Sequence, residues 1–233
     1  MTGQVDETQS ESSAPESKKP FSIDLSGEIV KVEVGEDRTI FHVHKDIICN
    51  ASPFFSNALK SEWMNNGKAS LDLHDVDVEA FRLYLHGIYT NSIDPLHEFS
   101  AMAQAYVLGE RFMDRDFLNI VIDAMVKRSG EFRRWPSYES VNVIYEGTPC
   151  DSPVRRLFLD IWAHKTQDTW GPQNCNAEFL VDLVKAMATN RDRRDKKPWK
   201  PQASSYYVDV TADSSKDSSK DSSKDSSDGT SDE

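Results

Sequence analysis

Long apolar runs are missing from this chain of 233 residues: no stretch approaches 18 apolar residues, and none of leader length follows Met1. A membrane-spanning helix needs about 20 such residues and a secretory leader an apolar run of about 7–15. The expectation is therefore a soluble protein of the cytoplasm, the nucleus or both. Cysteine is scarce, and Cys49, Cys150 and Cys175 lie far apart, a poor disulfide framework. Of the ten glycines none falls into GxGxxG or GxxxxGK, so a nucleotide-phosphate loop is not expected. Zinc requires three or four convergent ligands. The chain has no Cys-x-x-Cys and no His-x-x-x-His pair to join His42, His44 and Cys49; these read as structural groups, and neither metal nor cofactor is expected. Cys150 and Asp151 have no evident activating partner that would bring His164 into a nucleophilic pair, so no catalysis is expected either. A formal charge of −12 opposes nucleic acid and anionic membranes, and no DNA-reading motif is present.

What the chain does contain is unevenly distributed. Hydrophobic residues make up 38% and charged residues 28%, a balance that leaves part of the chain unable to pack. Residues 1–20 hold almost nothing to bury and read as disordered. Residues 200–233 read as a disordered acidic tail, in which Asp-Ser-Ser-Lys occurs three times in succession from Asp213 without an apolar stripe. Ser214, Ser218 and Ser222 each stand three residues before an aspartate. Acidophilic kinases prefer such sites, though a plain solubilising tail reads as well. The run Arg191, Arg193, Arg194, Lys196 and Lys197 is interrupted by Asp192 and Asp195. It suits the solvated end of a helix better than a nuclear-import signal.

Between the ends, the pattern predicts an α+β order. EIVKVEV (28–34) alternates as a half-buried strand does; GED is a turn, RTIFHVH (38–44) a second strand and ASLDL (69–73) a third. Helices come next. Ser52 then Pro53 marks a helix start, and Asp77 caps a helix carrying Val78, Phe81, Leu85 and Ile88. Further stripes are Phe99–Met102–Ala103–Tyr106–Val107 and Phe117–Val121–Ala124–Met125. A boundary is expected near 129–137. Beyond it come Val154–Leu157–Phe158–Ile161 and Leu180–Leu183–Val184–Met187. Residues 129–199 are thus a helical extension.

The order of these pieces carries a resemblance. FHVHKDIICNASPFFSNAL (41–59), LDLHDVDVEAFRLYLHGIYTNSI (71–93) and AMAQAYVLGERFMDRDFLNIVIDAM (101–125) together resemble the BTB/POZ family over roughly residues 21–128. IYEGTPCDSPVRRLFLDIWA (144–163) is similar to the extension of many fungal members. The resemblance implies a small sheet flanked by helical hairpins, a structural histidine at His44, and a role as a protein-binding adaptor that homodimerises. It also implies two surfaces. The first is a charge pair, Glu28 with Lys45, at a dimer interface. The second is the helix opened by Ser52–Pro53 together with the residues at its end, with Phe55, Leu59, Glu62, Trp63, Met64 and Asn65 as candidate protein-binding residues. Members that recruit a cullin ubiquitin ligase carry an apolar residue, any residue, then Glu at this point. Here Trp63 supplies the anchor, while Asn65 stands where the acid is expected and Glu62 lies nearby. Substrate recruitment to a cullin ligase is the alternative function, and a nuclear transcription-associated cofactor the second.

Overall fold

The computed structural model describes residues 25–60, 70–165, 174–189 and 203–208. Its sheet is built from β1 (Ile29–Val34), β2 (Thr39–His44) and β3 (Ser70–Leu73) in the order β2-β1-β3. β1 pairs antiparallel with β2, from Ile29↔His44 to Val34↔Thr39, and parallel with β3. Gly35 takes a φ of 77° in the connecting turn, a left-handed value that glycine adopts without steric cost. Alternation divides the hairpin's faces. Val30, Val32, Val34 and Val43 are fully buried on the inner face, whereas Ile29, Lys31, Glu33, Ile40 and His42 lie on the outer one.

Helices cover the inner face. α1 (Lys45–Ala51) and α2 (Pro53–Ala58) come directly after β2. Ser52, fully buried, accepts the Phe55 amide at 3.3 Å and donates to the Phe112 carbonyl at 2.6 Å. One hydroxyl therefore caps α2 and ties it to the end of α4 (Phe99–Phe112). α3 (Val78–Thr90) is capped by Asp77, and α5 (Arg115–Gly130) by Asp114. Phe55, Phe81, Tyr84, Phe112 and Phe117 meet in one aromatic cluster with edge-on and stacked contacts, the geometry that ring quadrupoles favour.

The loop 131–137 breaks the run of helices but not the core. α6 (Tyr138–Gly147) lies along α4, with α7 (Pro153–Lys165) and α8 (Ala177–Thr189) beyond. Val141, Ile144, Val154, Leu157, Phe158 and Ile161 are fully buried, and Phe158 meets Phe99 edge-on. A Cβ on Gly147 would stand 2.5 Å from Val107 of α4, so glycine is what permits this approach. Arg155 binds the extension together. Its guanidinium donates to the Tyr145 and Thr148 carbonyls, lies over the Tyr145 ring at 4.3 Å, and pairs with Glu178 at 3.0 Å.

Two expectations are corrected. Val184 and Met187 were expected on the buried stripe of α8, yet they are 67% and 38% exposed. The helix turns Phe179 and Leu183 inward instead, because Phe179 packs edge-on against both Tyr145 and Trp162. The chain beyond residue 200 is also not wholly tail-like. Ala203–Tyr206 form a 3-10 turn against α5 and α7, and Tyr206 is buried.

Candidate protein-interaction surface

The first candidate surface begins at the charge pair. Lys45 opens α1 immediately after β2, and its amide donates to the Glu28 carbonyl at 2.8 Å. That bond closes the sheet end and brings the two side chains together, Lys45 Nζ to Glu28 Oε2 at 2.9 Å. The Glu28 hydrogen bond pushes the Lys45 ammonium further above its usual range, so it stays charged at any ordinary pH. The pair is solvent-accessible, and an exposed pair of this kind adds little to stability. It fixes where the charges stand.

The outer hairpin face carries two apolar side chains among polar ones, Ile29 next to the pair and Ile40 towards the turn. Ile29 is 58% exposed and Ile40 is 54% exposed. Leu25, just before β1, is equally open. β2 is an edge of the sheet, where backbone donors and acceptors stand ready for another chain. At its end the His44 amide and Nδ1 both meet Tyr89 Oη, at 3.0 and 2.9 Å. His44 is therefore a structural link from β2 to α3, half-buried rather than enclosed. Among the described residues no three His, Cys, Asp or Glu side chains are grouped to hold a metal ion, and no helix is long and apolar enough to cross a membrane.

The second candidate surface fares differently. Phe55 is fully buried and Leu59 is 4% exposed. Phe55 sits 4.6 Å from the Phe112 ring and 6.2 Å from the Tyr84 ring, centroid to centroid. Both side chains are core, and as interface residues they are corrected: packing into the core leaves neither side chain surface to offer a partner. Glu62, Trp63, Met64 and Asn65 lie outside the described residues, as do Ser214, Ser218, Ser222 and the run 191–197.

Sequence reasoning passed over Ile29 and Ile40. The signal was present, since both stand in phase with charged or polar neighbours, Ile29 with Lys31 and Ile40 with His42. It also passed over Asn119, Asp123, Arg156 and Asp160, which hold residues 205–208. Nothing local marks those four.

No curated protein matches the chain. Residues 29–126 match the family model for the BTB/POZ domain, a module that mediates self-association and the binding of other proteins, and the three-stranded sheet with its covering helices is the α+β fold of that domain.

Proposed function

We propose that this protein is a non-catalytic adaptor that pairs with its own copy through the outer face and free edge of the β1–β2 hairpin. The supporting observation is that Ile29 and Ile40, each more than half exposed, share the outer face of the hairpin, Ile29 next to the fixed Glu28–Lys45 charge pair and Ile40 towards the turn. Scattered surface apolar residues are ordinary. Two on one sheet face, with β2 at the edge, suit an isologous two-fold contact in which one patch meets itself.

Light scattering coupled to size exclusion at micromolar concentration tests this. The expected mass is twice the 26.4 kDa of one chain. Lys45→Glu sets two carboxylates side by side at the interface and should weaken association by at least tenfold, while the melting temperature moves little. A wild-type mass of one chain overturns the reading. A dimer indifferent to both Lys45→Glu and Ile40→Lys moves the interface elsewhere. Recruitment of a cullin, or a role as a nuclear transcription cofactor, is supported by the family resemblance and not by any described side chain, since Phe55 and Leu59 belong to the core.

A further inference from the structure

Residues 203–208 are held in a manner unlike the rest of the fold. They join no strand and extend no neighbouring helix; side chains of two helices grip them. On α5, Asn119 Oδ1 accepts the Val208 amide at 2.6 Å while its Nδ2 donates to the Val208 carbonyl at 3.4 Å. One turn on, Asp123 accepts the Tyr207 hydroxyl. On α7, Arg156 donates to the Ser205 carbonyl and lies over the Tyr206 ring at 5.2 Å. One turn on, Asp160 accepts the Tyr206 hydroxyl at 2.5 Å. Each helix thus presents an i, i+4 pair, the spacing that places side chains on one face. In each pair one residue reads main chain and the other reads a tyrosine hydroxyl. Tyr206 is 2% exposed, whereas Tyr207 and Val208 are half-buried.

We infer that the groove between α5 and α7 is a recognition site for a short segment with two adjacent unmodified tyrosines, and that residues 205–208 are its ligand in cis. The chemistry is selective at three points. Asn119 and Arg156 require an accessible amide and carbonyls, not a side chain. Asp123 and Asp160 each require a donor, which phenylalanine lacks. A phosphate ester on either tyrosine would replace that donor with a charge of about −1.5 to −2 beside a carboxylate. In sequence, the segment is joined to α8 through residues 190–202, which lie outside the described residues. Tethering of that order gives the cis ligand an effective concentration on the order of millimolar, so a partner segment of the same chemistry must compete with it. The site does not involve the hairpin face.

The test uses the full chain with Tyr206→Ala and Tyr207→Ala, changes that empty the groove and leave its four gripping residues intact. A fluorescein-labelled peptide of residues 201–210 is the probe, titrated to millimolar. The expected result is saturable binding to the doubly substituted chain, at least tenfold weaker binding to wild type, and at least tenfold loss when Asn119→Ala is added. The same peptide phosphorylated at Tyr207 should not bind. If the doubly substituted chain keeps its circular-dichroism melt and binds the peptide no better than wild type does, the inference fails. Hydrogen exchange on the wild type gives an independent reading should the substituted chain not fold. The Tyr207 and Val208 amides should exchange well ahead of those in α5. Exchange in step with α5 would make the segment an inseparable part of the core and would overturn the inference.

Discussion

Asp114 shows what one buried side chain does at several places at once. Its Oδ1 accepts the Phe117 amide at 2.9 Å, capping α5, and its Oδ2 accepts the Tyr84 hydroxyl at 2.9 Å. It is 2% exposed, and burial pushes its pKa up to about 6, against the pull of those two hydrogen bonds. In the unfolded chain the same carboxyl titrates near about 3.9. The folded state therefore holds a proton that the unfolded state has lost between about pH 4 and 6. This group's contribution is largest below that window and declines as pH rises through it, the reverse of the usual carboxylate. The total is on the order of 2–3 kcal/mol. Asp114→Asn keeps a cap oxygen and removes the titration. Urea midpoints at pH 4, 5, 6 and 7 should show wild type losing stability relative to Asp114→Asn as pH rises. Parallel curves for the two proteins would mean that the carboxylate is not desolvated in solution.

At the scale of elements, α4 decides how the two parts of the chain meet. α2, α3 and α5 all touch it, and so does α6. Tyr106 and Glu110 on α4 both meet Ser152, at 3.3 and 3.1 Å, which anchors the start of α7. The α4–α6 approach depends on Gly147, whose missing Cβ leaves room for Val107. Gly147→Ala should cost about 1–3 kcal/mol through overpacking. Trimming the opposing residue in the double variant Gly147→Ala, Val107→Ala should recover part of that loss. A double-mutant cycle by chemical denaturation measures it, and a coupling energy near zero would show that the helices relax apart at no cost.

Across the whole molecule, one apolar core runs from Val30 in the sheet to Leu183 in α8 and Tyr206 near the end of the described chain. A helical extension with its own core would unfold separately. One sharing α4 should not. Four of the five tryptophans, Trp135, Trp162, Trp170 and Trp199, lie beyond residue 128, so tryptophan fluorescence reports mainly on the extension. Its thermal transition should coincide with that of the far-ultraviolet signal, which both parts share. A fluorescence midpoint several degrees earlier would mark the extension as a separate unit. For the same reason, a chain ended at residue 128 should bare the faces of Phe99 and Tyr106 and lose solubility.

How much of this was legible beforehand divides along a physical line. Alternation in 28–34, the Ser52–Pro53 start, the Asp77 cap and the stripes of α3, α4, α5 and α7 are local patterns, dictated by strand pleat, helix pitch and capping chemistry, and the sequence by itself determined them; α6 carried no stripe that the sequence reading picked out. The Glu28–Lys45 pair was implied by the family resemblance rather than by local pattern, and it is the hairpin register that brings the two side chains to 2.9 Å. Long-range packing decided the rest. Phe55 and Leu59 look alike whether they face a partner or a core, and the aromatic cluster from α3, α4 and α5 turned both inward. Val184 and Met187 fit a buried stripe until Tyr145 and Trp162 drew Phe179 inward and rotated α8 about its axis. In sequence, residues 203–208 stand close to an acidic Ser/Asp/Lys run that has no apolar stripe. What holds them is Asn119, Asp123, Arg156 and Asp160, each 46 to 89 positions from its partner, whose convergence exists only once α5 and α7 both reach residues 203–208.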